Sequence, residues 1–234
     1  MWTGTRTLVT GARGFLGQHV MRKLLALGAD AVGVGSADAD LTRGEEALRL
    51  FEDIRPTVVV HCAVQGGGIG WMREHPVESG RDNSLINIHA LDAAHRCGAS
   101  LFIGASSTCA YPRSPQVPFK ESALWDGYPE PTNGPYAQSK RLMMDLGRAY
   151  QEQHGFRSVF GLLGNLYGPG DLFNEENSHV IPALIMKFHK AKEKNAQRVI
   201  LWGSGKPRRE FLHSDDAAEG MVYALKNYSD YQPI

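Results

Sequence analysis

A short apolar run that passes straight into a glycine turn and then an amphipathic helix limits the fold of this chain more than any other stretch. Thr7-Leu8-Val9-Thr10 reads as a buried strand and Gly11-Ala12-Arg13-Gly14-Phe15-Leu16-Gly17 as a turn. Leu16, Val20, Leu24 and Leu27 then share one face of the helix that follows. The glycines permit a tight turn and the close approach of a pyrophosphate, whose charge meets the amides and positive end of the helix. Strand, glycine turn and helix in this order predict a dinucleotide site at the start of a βαβ unit.

The pattern repeats along the chain. Ala31–Gly35 reads as a second strand, Glu45–Ile54 as a helix stopped before Pro56, and Thr57–Ala63 as a strand of continuous apolar character. Asn83–Arg96 reads as a helix with Leu85, Ile88, Leu91 and Ala94 on its apolar side, and Leu101–Ala105 as the fourth strand. Ser158–Leu163 is the fifth strand and Val199–Trp202 the sixth, with Arg208–His213 an edge segment and a last helix from Asp215 to Leu225. Between the fifth and sixth strands Ser178 is the expected N-cap of a helix in which Pro182 suits the first turn, and Leu184, Ile185, Phe188 and Ala191 share a face. Such alternation predicts an α/β fold, a doubly wound parallel sheet of Rossmann type. The expected division is residues 1–165, mainly the nucleotide-binding part, and residues 166–234, mainly an interleaved substrate lobe. Tyr228–Ile234 has no clear ending element, so that lobe reads as incomplete.

At the end of the second strand Gly35-Ser36 stands where NAD sites usually place an acid. With Arg13 as a partner for a 2′-phosphate this points to NADP, while Asp38 and Asp40 leave NAD open. Gln65–Gly70 lies on the carboxyl edge of the sheet and is either functional or simply flexible. Ser106-Ser107-Thr108-Cys109-Ala110-Tyr111-Pro112, released at the end of the fourth strand, either cap it or point into the cleft. Prolines at 112, 115, 118, 129, 131 and 135 make an extended excursion that returns the chain to Tyr136.

Tyr136 and Lys140 lie four residues apart in a segment, Tyr136–Gln153, rich in helix formers, so both project from one face. A phenol holds its proton to about pH 10, and a neighbouring ammonium favours the phenolate. The pair is therefore a candidate for proton transfer. Leu142, Met143, Met144, Leu146 and Tyr150 on the same helix serve either a subunit contact or complete burial. Lys187, Lys190, Lys192 and Lys194 read as a mainly solvated face.

Lys+Arg and Asp+Glu balance at 25 each, so no basic field advertises nucleic acid or an anionic membrane. The three cysteines, Cys62, Cys97 and Cys109, show no C-x-x-C spacing, which argues against a disulfide framework and a zinc site and for a reducing cytoplasm. No metal is expected. No apolar stretch approaches the roughly 20 residues that span a bilayer.

Gly11-x-x-Gly14-x-x-Gly17, Ser107 and Tyr136-x-x-x-Lys140 occur in order, each in its expected context. Together with Glu130-Pro131-Thr132-Asn133, Gly164–Pro169, Ser178–Leu184, Trp202–Gly205, Arg209–His213 and Asp215-Asp216 they make the chain similar, from Thr7 to Ala224, to the extended short-chain dehydrogenase/reductase family. Within it the likeness is to enzymes that epimerise a 4-keto-6-deoxy GDP-sugar at C3 and C5 and reduce it at C4. The resemblance implies that Tyr136 protonates O4, that Lys140 holds the ribose and lowers the tyrosine pKa, and that Ser107 hydrogen-bonds the ketone. It also implies that Cys109 and His179 form the epimerisation pair. On its own Cys109 would be an inert small residue and His179 a helix-start histidine; a thiol that ionises near pH 8.5 becomes a usable base with a modest shift.

Implied cofactor contacts are Gly11, Arg13, Gly14, Phe15, Leu16, Gly17, Ala63, Ala105, Ser106, Lys140, Leu163, Asn165, Leu166 and His179. Implied substrate contacts are Ser107, Asn165, Lys187, Trp202 and Arg209. NADP(H) is the implied cofactor, a GDP-sugar the substrate, and a homodimer through the helices at Asn83–Arg96 and Tyr136–Gln153 the assembly. The chain departs from the resemblance at Ser36 and at Gln65-Gly66. A reductase or epimerase of another nucleotide sugar, such as a GDP-heptose, is the alternative enzyme. A nucleotide-sensing protein without turnover is the alternative of another class, against which Tyr136, Lys140 and Ser107 argue.

Overall fold

In the computed structural model, which describes residues 5–174, 178–201, 203–228, 230 and 232–234, the glycine turn is flanked as its residues require. Strand β1 (Arg6–Thr10) leads into it and helix α1 (Phe15–Ala26) leaves it. The strands β2 (Asp30–Val34), β3 (Val58–His61), β4 (Leu101–Ser107) and β5 (Arg157–Leu163) complete a parallel sheet in the order β2-β1-β3-β4-β5. The order reverses between β1 and β3, and the crevice outside the carboxyl ends at such a reversal is where α/β sheets bind ligands.

Both faces of the sheet are covered, which explains why its strands read as continuous apolar runs. Leu8, Val59, Phe102 and Phe160 point to one side, against α2 (Gly44–Ile54), α4 (Pro76–Arg96) and α5 (Gly134–His154). Val9, Val60, Ile103 and Val159 point to the other, against α1 and α7 (Ser214–Asn227). Helix α7 brings Ala218, Met221, Val222 and Leu225 into this second core, so a late segment of the chain helps to hold the glycine-turn helix in place. Ile234 bonds the backbone of β5 at Phe160 and Leu162. Among the described residues no helix is long and apolar enough to cross a membrane.

Several elements differ from the sequence expectation. Helix α4 starts at Pro76, not Asn83, because its inward positions Ser79, Asn83 and Asn87 are polar and break the apolar periodicity. The Asn83 amide both accepts from the Gln65 amide (2.9 Å) and donates to the Gln65 carbonyl (2.7 Å), anchoring the glycine-rich loop that runs into α3 (Ile69–Glu74). Val199–Leu201 forms no strand; Ile200 and Leu201 are exposed, and an extended run becomes a strand only where a neighbour can pair with it. Trp202 lies outside the described residues. The additional strands are β6 (Asn165–Tyr167) and β7 (Phe211–His213), a parallel pair. Helix α6 (Val180–Glu193) takes His179 as its N-cap without a side-chain bond, while the Ser178 hydroxyl accepts from the Asn174 amide instead.

Candidate active site

Strand β4 ends on Ser107, whose hydroxyl accepts the Cys109 amide (3.1 Å) and so starts the short turn Thr108–Ala110. The turn is fixed from the other side. Arg141 of α5, buried, donates from Nε to the Ala110 carbonyl (2.7 Å) and from a terminal nitrogen to the Leu124 carbonyl (2.7 Å), tying both the turn and the proline-rich excursion to α5. The same helix presents Tyr136 and Lys140. The Lys140 ammonium lies 5.7 Å from the Tyr136 ring centroid and donates to the Ala105 carbonyl at 2.9 Å. The Ser107 hydroxyl and the Cys109 thiol both lie close enough to the Tyr136 phenol to act on its protonation. Four side chains from the end of β4 and the first turns of α5 thus converge.

Burial dominates their protonation. It pushes the Tyr136 phenol above its ordinary value, a negative charge on Cys109 adds to this, and the Ser107 hydroxyl opposes it. The Lys140 ammonium, beside the Tyr136 ring, donates to the Ala105 carbonyl. Lys140, 3% exposed, is itself lowered to about 8 by burial, with Cys62 opposing. Burial likewise pushes the Cys62 thiol up to about 12, which makes it a poor nucleophile. His61 is held neutral, at about 3, by burial and then by the Lys140 charge. Its Nδ1 therefore accepts from the Thr10 hydroxyl (2.8 Å) and its Nε2 donates to Asn87 Oδ1 (3.1 Å), while Asn87 donates to the Ser139 carbonyl (3.2 Å). Sequence reading missed this network, which locks the ends of β1 and β3 to α5; polar residues spaced four apart in α4 were its only trace.

The glycine turn fits a nucleotide. Gly11 has φ +67°, and a Cβ there would stand 2.7 Å from the backbone of Cys62 and Ala63; a Cβ on Gly17 would strike the Gly11 carbonyl. Gly14 caps α1 and no acidic residue occupies the first turn, where Phe15 and Leu16 lie, so the helix's positive end is uncompensated. Arg13 forks onto Asp38 at 2.8 and 3.1 Å, and the Gly35 amide donates to the same carboxylate (2.8 Å). These contacts hold Asp38 below its ordinary range, the Arg13 hydrogen bond first among them. The end of β2 thus carries a fork for phosphate and an acceptor for ribose hydroxyls. The Ser106 hydroxyl, buried beside Ala105, has no partner among the described residues, and Lys140 has donors left over after Ala105; both suit a polar ligand in the crevice. Leu163 ends β5 opposite Ser107. Asn165 and Leu166 follow in β6, with Asn165 donating to the Glu210 carbonyl (3.0 Å).

The remaining candidates lie around α6. His179 is exposed, with Nδ1 3.6 Å from Asp171 Oδ1. Lys187 is partly buried on α6, and Arg209 is exposed, its guanidinium on the Arg208 carbonyl (3.2 Å). Among the described residues no hydrogen bond joins His179 or Arg209 to the Tyr136 group. The loop ahead of α6 is tied to the glycine-turn helix instead. Gln18 donates to the Gly170 carbonyl (3.4 Å), and His19, buried, sets Nε2 2.8 Å from the Pro169 carbonyl and Nδ1 against Asp215. Neither His19 nor Asp171 stood out in the sequence, since their partners are far away in the chain.

Residues 7–233 match the NAD dependent epimerase/dehydratase family. The probable GDP-L-fucose synthase 1 of Oryza sativa subsp. japonica is 40% identical over 235 residues, which cover 99% of this chain and 71% of that protein. Among solved structures, a GDP-L-fucose synthetase from Naegleria fowleri bound to NADP superposes with a TM-score of 0.88 at 35% identity, covering 98% of this chain and 75% of the other. A GDP-mannoheptose C4 reductase from Campylobacter jejuni with NADP bound gives a TM-score of 0.88 at 26% identity, covering 98% and 75%.

Proposed function

Because this chain belongs to the NAD dependent epimerase/dehydratase family, we propose that it epimerises a 4-keto-6-deoxy GDP-sugar at C3 and C5 and then reduces it at C4 with NADPH. The observation that carries this reading is the convergence of Ser107, Cys109, Tyr136 and Lys140 beside the crevice where the strand order reverses. The likeness to GDP-L-fucose synthases at 35–40% identity supports the sugar, and the heptose alternative rests on the weaker likeness at 26%.

The C4 ketone acidifies the hydrogens on C3 and C5. Ser107 donates to the ketone oxygen and stabilises the enolate that forms when one of these hydrogens is lost. Cys109, as thiolate, takes the proton: a C–H bond breaks and an S–H bond forms. His179 returns a proton from the opposite face, which inverts the carbon. When bound, NADPH supplies the hydride that C4 accepts. Tyr136 then gives its proton to O4; a phenol that burial keeps protonated is suited to act as an acid. Lys140 would hold the nicotinamide ribose, the glycine turn the pyrophosphate and Arg13 the 2′-phosphate. Arg13 must leave or share Asp38 to do so, and its 62% exposed side chain leaves it room. Lys187 and Arg209 would grip the GDP portion, Arg209 by its fork.

The three cysteines are free, which supports a reducing cytoplasmic setting. Exposed Val77 on α4 and Leu142 on α5 support a homodimer through these helices. Incubating the protein with NADPH and a panel of 4-keto nucleotide sugars, with product analysis, tests the reading. The expected result is conversion of the 4-keto-6-deoxy GDP-sugar to its C3/C5-inverted, C4-reduced product; turnover of the heptose analogue alone would replace it with the alternative.

A further inference from the structure

Asp171 is the one acidic residue buried among the described residues, and the function above does not use it. Its Oδ1 accepts the Leu172 amide (2.7 Å), but its Oδ2 has no hydrogen-bond partner among the described residues. It borders a groove of about 270 Å³ whose other walls include Tyr167, Phe173, Ile181 and Ile185. A buried carboxylate with a single hydrogen bond is short of donors, and Oδ1 itself keeps a second lone pair free to accept one. Among the described residues His179 faces it, with Nδ1 3.6 Å from Oδ1. The two differ in how they are held. Asp171 sits on a loop whose neighbouring carbonyls are fixed by Gln18 and His19, and its own side chain is 3% exposed; the His179 side chain is 59% exposed and makes no cap bond to its helix.

We propose that Asp171 is a positioning residue for His179: it accepts the Nδ1–H, which fixes the ring tautomer and turns Nε2 towards the sugar as the nitrogen that delivers the proton in epimerisation. The proposal rests on the role assigned to His179 above. At 3.6 Å the contact is longer than a hydrogen bond, and a small rotation of the exposed ring closes it; such bonds commonly tighten only when substrate is in place. In the step itself the Nε2–H bond breaks and a C–H bond forms, leaving neutral histidine with its proton on Nδ1. Asp171 remains a carboxylate and takes no proton, as outer carboxylates do when they orient an imidazole.

The test uses the whole chain with the His179 signal assigned through His179→Gln. In Asp171→Ala, solvent-deuterium incorporation at C3 and C5 falls about 10–100-fold, while 4-reduction of an already epimerised ketone keeps its rate. By ¹⁵N NMR the His179 ring loses its preference for the Nδ1–H form. Asp171→Asn, which keeps one acceptor oxygen in the same shape, restores part of the deuterium incorporation. An unchanged tautomer and unchanged incorporation in Asp171→Ala would overturn the proposal, and so would equal loss of both reactions, which would make the carboxylate a structural part of its loop. Unchanged incorporation in His179→Gln would instead remove His179 from the mechanism, and this proposal with it.

Discussion

Helices α5 and α6 both carry candidate functional side chains, yet the protein treats them differently. Helix α5 buries Ala137, Ser139, Lys140, Arg141, Met143, Met144 and Gly147; α6 buries only Pro182 and leaves Ile185 and Phe188 more than half exposed. Around α5 each reactive group is set by packing and by bonds to backbone: Arg141 fixes the Cys109 turn, Ser107 caps it, and the His61 network lies beneath. Around α6, His179 and Arg209 are exposed, His179 facing the Asp171 carboxylate and Arg209 bonding the Arg208 carbonyl. The contrast separates two tasks. Proton transfer needs groups held in place before substrate arrives, whereas gripping a large nucleotide sugar tolerates side chains that become ordered on binding.

Four substitutions probe the contrast between the two helices. The largest effect belongs to Tyr136→Phe, which should lower the rate of 4-reduction by about 10²–10⁴ while NADPH binding, measured by fluorescence titration, persists. Full activity would remove the phenol from the chemistry. Next comes one residue type placed in both regions. Phe160→Ala should cost about 3–5 kcal/mol, because Phe160 is fully buried between α5 and the sheet. Phe188→Ala should cost less than about 0.5 kcal/mol; a larger loss in denaturant titration would show that this face of α6 is covered in solution.

Lys140→Met gives an intermediate effect of opposite sign. The folded value of about 8 lies below the ordinary 10.5, so between these the unfolded chain binds more protons and stability rises with pH. The penalty for burying the ammonium is fully present below about pH 8 and gone above about 10.5. Removing it, net of the lost bond to Ala105, should stabilise the protein by about 2–3 kcal/mol at pH 7 and not at all at pH 11, at the expense of reductase activity. A gain that does not shrink with pH would place the cause elsewhere.

The sheet and its helices were legible because both faces are covered, so that Thr7–Thr10, Val58–Val60 and Leu101–Ile103 could hardly be anything but buried strands. Tyr136 and Lys140 were legible for a similar reason, since one helical turn brings them together. What escaped depends on partners remote in sequence. Asn165–Tyr167 becomes a strand only because Phe211–His213 lies beside it, and the apolar run at Val199–Leu201 lacks such a neighbour. The polar inward face of α4 hid its first two turns, and the burial that brings Lys140 to about 8 has no sequence signature at all.

The central claim is that Cys109 and Tyr136 surround one ketone and divide the chemistry between them. Incubating Tyr136→Phe and Cys109→Ala in D₂O with NADPH, and following both deuterium at C3 and C5 and NADPH oxidation, tests it directly. Tyr136→Phe should take up deuterium while oxidising little NADPH, and Cys109→Ala should take up none yet still oxidise NADPH when given the already epimerised ketone. Deuterium uptake at the wild-type rate in Cys109→Ala, or unimpaired reduction in Tyr136→Phe, would contradict the account.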